Sequence, residues 1–107
     1  MNKKQGYIYV LEMDGWIKIG KTIEPKKRLV LYNSSFPVDK IYYYNISERL
    51  YNCNEAEEVL LEYMANRNNI QRSRREWFKE TVFDIGHREL LEEISNKIEE
   101  TSRHYLA

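Results

Sequence analysis

The stretch Gly6-Tyr-Ile-Tyr-Val-Leu-Glu-Met-Asp-Gly-Trp-Ile-Lys-Ile-Gly20 decides the architecture. Aromatic and β-branched residues dominate 6–12 and again 16–20, the composition of strands. Asp14-Gly15 between them is a tight-turn dipeptide, so the two runs form a hairpin. Neighbours on a strand point to opposite faces. Ile17 and Ile19 therefore share one face, and Trp16 and Lys18 the other.

The rest of the chain is read outward from that hairpin. Pro25 suits the first turn of a helix, where its missing N–H costs nothing. The spacing predicts a short helix over 24–33, with Leu29, Leu31 and Tyr32 as core contacts, ended by Asn33-Ser-Ser-Phe-Pro37. Residues 40–46 read as a third strand. Residues 54–66 read as a helix with Ala56, Val59, Leu60, Tyr63 and Met64 at helical spacing and Glu55, Glu58 and Glu62 on a polar face. Residues 67–75 are polar and basic, a loop. Arg75–Lys79 restores hydrophobicity, as a short strand or an anchor. Residues 87–105 form a last helix with the stripe Leu90, Leu91, Ile94 and Ile98. The order predicts an α+β domain: a small three-stranded antiparallel sheet with room for a short extra strand, flanked by helices.

The 107 residues carry 17 basic and 17 acidic side chains, so the net charge is zero. That argues against a protein that coats nucleic acid non-specifically. The halves differ, however: residues 1–50 hold nine basic and five acidic side chains, residues 51–107 eight and twelve. The basic ones cluster at Lys21, Lys26, Lys27, Arg28 and at Arg67, Arg72, Arg74, Arg75. Cys53 is the single cysteine, which excludes an internal disulfide and a cysteine-based zinc site. No apolar run approaches the ~18 residues of a membrane span. The charged start Met1–Gln5 lacks the apolar stretch of a leader, so a cytoplasmic location is expected.

The hairpin also brings polar groups together. Tyr9 and Lys18 fall on neighbouring strands and on one face, and an ammonium beside a phenol favours the phenolate. Gly20 leaves room for a bulky group to approach the backbone. Lys21 and Arg28 follow, and a guanidinium matches a phosphate's oxygens. Each has a plainer reading: Tyr9 as a packed sheet residue, Lys18 as a solvated one, Arg28 as a snorkelling surface side chain. Glu57, one of four glutamates in its helix, is by default on a solvated face.

The succession Tyr7-Ile8-Tyr9, Lys18-Ile19-Gly20-Lys21, Arg28-Leu29, Ala56-Glu57, Arg75-Glu76-Trp77-Phe78 resembles the GIY-YIG nuclease superfamily. It is most similar to the small phage and viral branch, where a Lys-Ile-Gly triplet is usual. The resemblance covers residues 6–80, and 81–107 then form a C-terminal helical extension packed on the same domain. It implies a metal-dependent endonuclease acting on nucleic acid, DNA ahead of RNA, with one Mg²⁺ or Mn²⁺ ion. Tyr9 matches the tyrosine that serves as general base or its helper. Tyr7 stands in place of the first motif's glycine, and Lys18 at a position that is a second tyrosine in many relatives. Arg28 matches the arginine that holds the scissile phosphate, and Glu57 the metal-binding glutamate. Lys21, Lys26, Lys27, Arg72, Arg74 and Arg75 are the expected nucleic-acid contacts.

The chemistry suits those residue types. Hydrolysis needs a water relieved of its proton, and a phenolate can take it. Charge growing on the phosphate is opposed by a fixed guanidinium and a metal ion. Leu61 stands where many relatives of this branch carry a histidine, four residues after the glutamate and so on its helix face. The asparagine that often follows the metal helix in the family has no fixed counterpart, Asn68 or Asn69 being the candidates; His87 and His104 match no motif position. That departure and the neutral charge leave a second reading: the same fold kept to bind nucleic acid or a partner protein. The chain is expected as a monomer, or as a homodimer through the last helix.

Overall fold

The computed structural model describes residues 3–13, 15–28, 30, 41–67, 77–79 and 85–107. Strands β1 (Tyr7–Met13) and β2 (Trp16–Thr22) form the hairpin, and Gly15 takes the positive φ of 82° that its turn requires. β3 (Ile41–Ile46) pairs with β1, and β4 (Trp77–Lys79) with β2. All pairs are antiparallel, in the order β3-β1-β2-β4. The sheet thus has four strands, and Trp77–Lys79 is the short extra one. Its Phe78 is buried opposite Ile17, which anchors three residues that could not hold a sheet edge through hydrogen bonds alone.

Helix α1 is described at residues 25–28 and at 30, all of them helical. Thr22 Oγ1 accepts a hydrogen bond from the Glu24 N–H (3.1 Å), and the Arg28 N–H donates to the Glu24 carbonyl (3.1 Å). Pro25 follows Glu24 at the first helical position, as its preset φ favours. The expected contacts Leu29, Leu31 and Tyr32, the breaker at 33–37, the basic loop with Arg72, Arg74 and Arg75, Asn68 and Asn69, and the Arg75-Glu76 pair lie outside the described residues.

Helix α2 (Cys53–Arg67) opens on a reciprocal cap. Asn52 Oδ1 accepts from the Glu55 N–H (3.2 Å), and Asn52 Nδ2 donates to Glu55 Oε2 (3.1 Å). Helix α3 (His87–Tyr105) spans the predicted range. Leu90, Ile94 and Ile98 are buried with Ile8, Val10, Ile17 and Ile19 of the sheet and Ala56, Leu60, Leu61 and Met64 of α2. The stripe on α3 is thus used within its own core, except for Leu91, which is half-buried and outside the cluster. Val59 departs from the expectation and is 40% exposed. The buried face of α2 runs through Cys53, Ala56, Glu57, Leu60, Leu61, Met64 and Ala65, which turns Val59 outward.

The opposite face of the hairpin carries a second cluster, Tyr9, Leu11 and Met13, with Ile46 and Trp77 packed against it. The ends of the chain meet over Leu50. Gly6 and Leu50 exchange backbone hydrogen bonds (3.0 and 2.7 Å), Leu50 bridges to Leu106, and the Tyr51 N–H donates to the Tyr105 carbonyl (2.8 Å). No described helix is long and apolar enough to cross a membrane.

Candidate phosphate site at the end of the hairpin

The register sets the site. Tyr9 pairs with Gly20, and Leu11, not Tyr9, pairs with Lys18. Tyr9 and Lys18 share a face but stand diagonally. The Lys18 ammonium lies over the Trp77 ring, 5.6 Å from its centroid. Tyr9 is buried, and its ring lies across Gly20: a Cβ built there would stand 2.8 Å from Tyr9 Cε1 and closer still to Cζ and Oη. The bulky group that Gly20 admits is therefore the chain's own tyrosine. Tyr7 is half-buried at the start of β1, opposite Thr22.

Lys21, the next residue, points to the other side, toward α2. There its Nζ lies 3.4 Å from Glu57 Oε1. Glu57 is not on a solvated face: it is 5% exposed, on the stripe that α2 buries against the sheet. Its position one residue beyond Ala56 puts it at the margin of that stripe, where a carboxylate can meet the lysine at the strand end. A carboxylate buried that far needs a charged or hydrogen-bonding partner, and Lys21 is one.

A pocket of about 410 Å³ opens beside this pair, lined by Lys4, Lys21, Thr22, Ile23, Glu24, Lys27, Arg28 and Cys53. Four of those residues are cationic and one is anionic, Glu24, which lies 3.2 Å from Lys27 Nζ. Arg28 is exposed, carried into the pocket wall by the α1 turn, while Lys26 is exposed on the same turn. Cys53 is at the buried end. Burial pushes its thiol above its ordinary range, against the opposing pull of Lys21 and Lys4. It stays protonated and is not a nucleophile at neutral pH. Lys4 and Cys53 carried no sequence signal for this site; they meet because the Cys53 N–H donates to the Lys4 carbonyl (2.8 Å).

The structure thus brings Lys21, Glu57 and Arg28 to one corner. Tyr9 reaches the same strand from the opposite face, with the bare backbone of Gly20 between its ring and Lys21. Among the described residues no three of His, Cys, Asp and Glu cluster as metal ligands. Glu57 offers one hard oxygen donor. A hard ion held by one carboxylate would complete its shell from water and phosphate oxygens. Leu61, one turn after Glu57, is in the core. His104 is exposed on α3.

A single antiparallel sheet backed by two helices, with a cationic pocket at the end of its first hairpin, defines a small α+β domain. The chain belongs to the T5orf172 domain family, whose model matches residues 6–101. That span runs from the first strand through most of α3. No curated protein and no solved structure matches the chain.

Proposed function

We propose that this protein is a metal-dependent endonuclease that hydrolyses phosphodiester bonds of DNA or RNA. Membership of the T5orf172 family, a domain associated with nuclease-like phage proteins, supports a nucleic-acid role. The observation that carries the reading is the corner where buried Glu57 meets Lys21 beside the pocket that Arg28 lines.

In this reading the substrate phosphate sits in the pocket against Arg28 and Lys21. A guanidinium grips two phosphate oxygens at once, and fixed charge opposes the negative charge that grows in the transition state. Glu57 would hold one Mg²⁺ or Mn²⁺, which when bound supplies positive charge at the phosphate and the leaving oxygen. Water attacks phosphorus as the bond to the leaving oxygen breaks. The base that takes the proton lost by the water would be the Tyr9 phenolate, which has to leave its buried place over Gly20 and come round from the opposite face of β2, and the leaving oxygen takes up a proton from solvent. Lys18 adds a positive charge to the Tyr9 face. Lys26 and Lys27, with Arg72, Arg74 and Arg75, hold the flanking backbone.

The test is direct. Purified protein is incubated with plasmid, single-stranded DNA and RNA in Mg²⁺ or Mn²⁺. Wild type is expected to cut, and Glu57→Ala and Arg28→Ala to lose about 10² in rate or more. Equal cutting by wild type and both variants, or none by any, refutes the reading.

A second reading has an observation of its own. Glu57 is already paired with Lys21, and Tyr9 stands on the other face of β2. A module that binds nucleic acid without cutting it would show tight binding that survives chelation and Glu57→Ala.

A further inference from the structure

The register of β4 on β2 builds a second feature, at the other end of β2 from Lys21. Trp16 pairs with Lys79 and Lys18 with Trp77, while Ile17 and Phe78 between them point into the core. The four side chains therefore share one face, as two cross-strand pairs of opposite order. Each ammonium lies over the indole opposite it: Lys79 Nζ is 5.4 Å from the Trp16 centroid, and Lys18 Nζ 5.6 Å from that of Trp77. Trp16 is 39% exposed, Lys79 is exposed, and Lys18 and Trp77 are half-buried.

Cross-strand contacts of this kind stabilise a sheet modestly, and a lysine guards an edge strand. Neither use calls for an indole left open to water at the edge. Lys79 is in no ion pair with a described carboxylate, so its charge is available to an anion. We infer that the Trp16, Lys18, Trp77 and Lys79 face is a binding platform for single-stranded nucleic acid, its indoles stacking on bases and its ammonium groups meeting phosphates. Base–aromatic stacking beside a cationic track is how single strands are held without sequence readout. Duplex DNA cannot use such a platform, because its bases already stack on one another. The inference rests on the nucleic-acid reading above and adds to it the state of the strand. Trp16 and Lys21 are five residues apart on β2, roughly 17 Å, and on opposite faces of the sheet, so the platform is a site separate from the pocket.

Both tryptophans of the chain belong to this face, so intrinsic fluorescence reports on it directly. The full chain is titrated in EDTA, at about 50 mM salt, with an oligothymidylate of about 16 nucleotides. An abasic strand of the same length and a duplex are run alongside. The oligothymidylate is expected to quench the emission, and the abasic strand, with the same charge, to leave it unchanged. Trp16→Ala should weaken binding of a labelled oligothymidylate about tenfold. Lys79→Gln should lower the salt slope by about 0.7. Quenching by the abasic strand equal to that by the oligothymidylate overturns the inference, as does unchanged affinity in Trp16→Ala. The Glu57→Ala protein separates the two readings. If it quenches as wild type does, the platform stands whether or not wild type cuts. If wild type cuts in a Glu57-dependent manner but shows no quenching, the platform alone falls.

Discussion

The ring of Tyr9 lies across Gly20, its partner on the neighbouring strand, and fills the space that any side chain at position 20 would need. The glycine is thus demanded by packing as well as by any chemistry nearby. Gly20→Ala is expected to lower stability by about 1–3 kcal/mol, the range for overfilling a packed core. Urea unfolding followed by circular dichroism measures it. A variant as stable as wild type would show that the tyrosine ring moves aside without cost.

Lys21 and Glu57 form a pair whose carboxylate is buried and whose ammonium is largely open. Solvent screening of the open partner keeps the value of the pair near that of surface pairs, about 1 kcal/mol. Lys21→Met should cost about that much in urea. Changing Glu57→Gln in the Lys21→Met background should recover part of it, since the buried charge that has lost its lysine is then removed. A double-mutant cycle showing no coupling would contradict the contact.

Glu93 ties the two long helices together. Its Oε1 accepts from Tyr63 Oη (2.9 Å), and both its oxygens accept from Arg67 Nε (2.9 and 2.8 Å). Glu93→Ala should lower stability by about 1 kcal/mol, because the pair is partly open to water. Burial, and then the bond to Glu93, hold the Tyr63 phenol above its ordinary range. The stability it contributes is therefore complete below pH about 10 and is lost as pH rises past its folded value. Unfolding curves between neutral pH and alkaline pH, compared with Tyr63→Phe, check the sign.

Cys53 is buried beside Lys21 and Lys4, yet burial outweighs their pull and keeps the thiol protonated. Alkylation by iodoacetamide at pH 8 is expected to run at least about tenfold slower in the folded chain than in urea. Equal rates would mean that the buried end of the pocket opens freely.

Leu61 stands where the GIY-YIG resemblance places a histidine in many relatives, and it is in the core with Leu60 and Met64. Leu61→His should not create a catalytic group. It should destabilise by about 1–3 kcal/mol, the cost of an imidazole buried without a partner. A gain in cleavage by this variant without loss of stability would show that position 61 faces the site.

The hairpin and the two long helices were legible from local signals, while residues 75–79 read equally as a short strand or an anchor. Alternation, the Asp14-Gly15 turn and helical spacing act within a few residues, so the chain displays them wherever it is read. The alternation around Trp16 and Lys18 likewise gave their shared face. The two-residue turn at Asp14-Gly15 also fixes the register of β1 on β2, and with it Tyr9 opposite Gly20; the register of β4 on β2, which puts Lys18 opposite Trp77, was not legible. Nor was the burial of Glu57, for a glutamate among glutamates differs from its neighbours only in what packs against its side of the helix. Lys4, Lys21, Arg28 and Cys53 come from separate segments and share a pocket only because the sheet and α2 close on one another. Periodicity is a property of neighbours along the chain, whereas a site is a property of neighbours in space, and packing alone decides which distant residues those are.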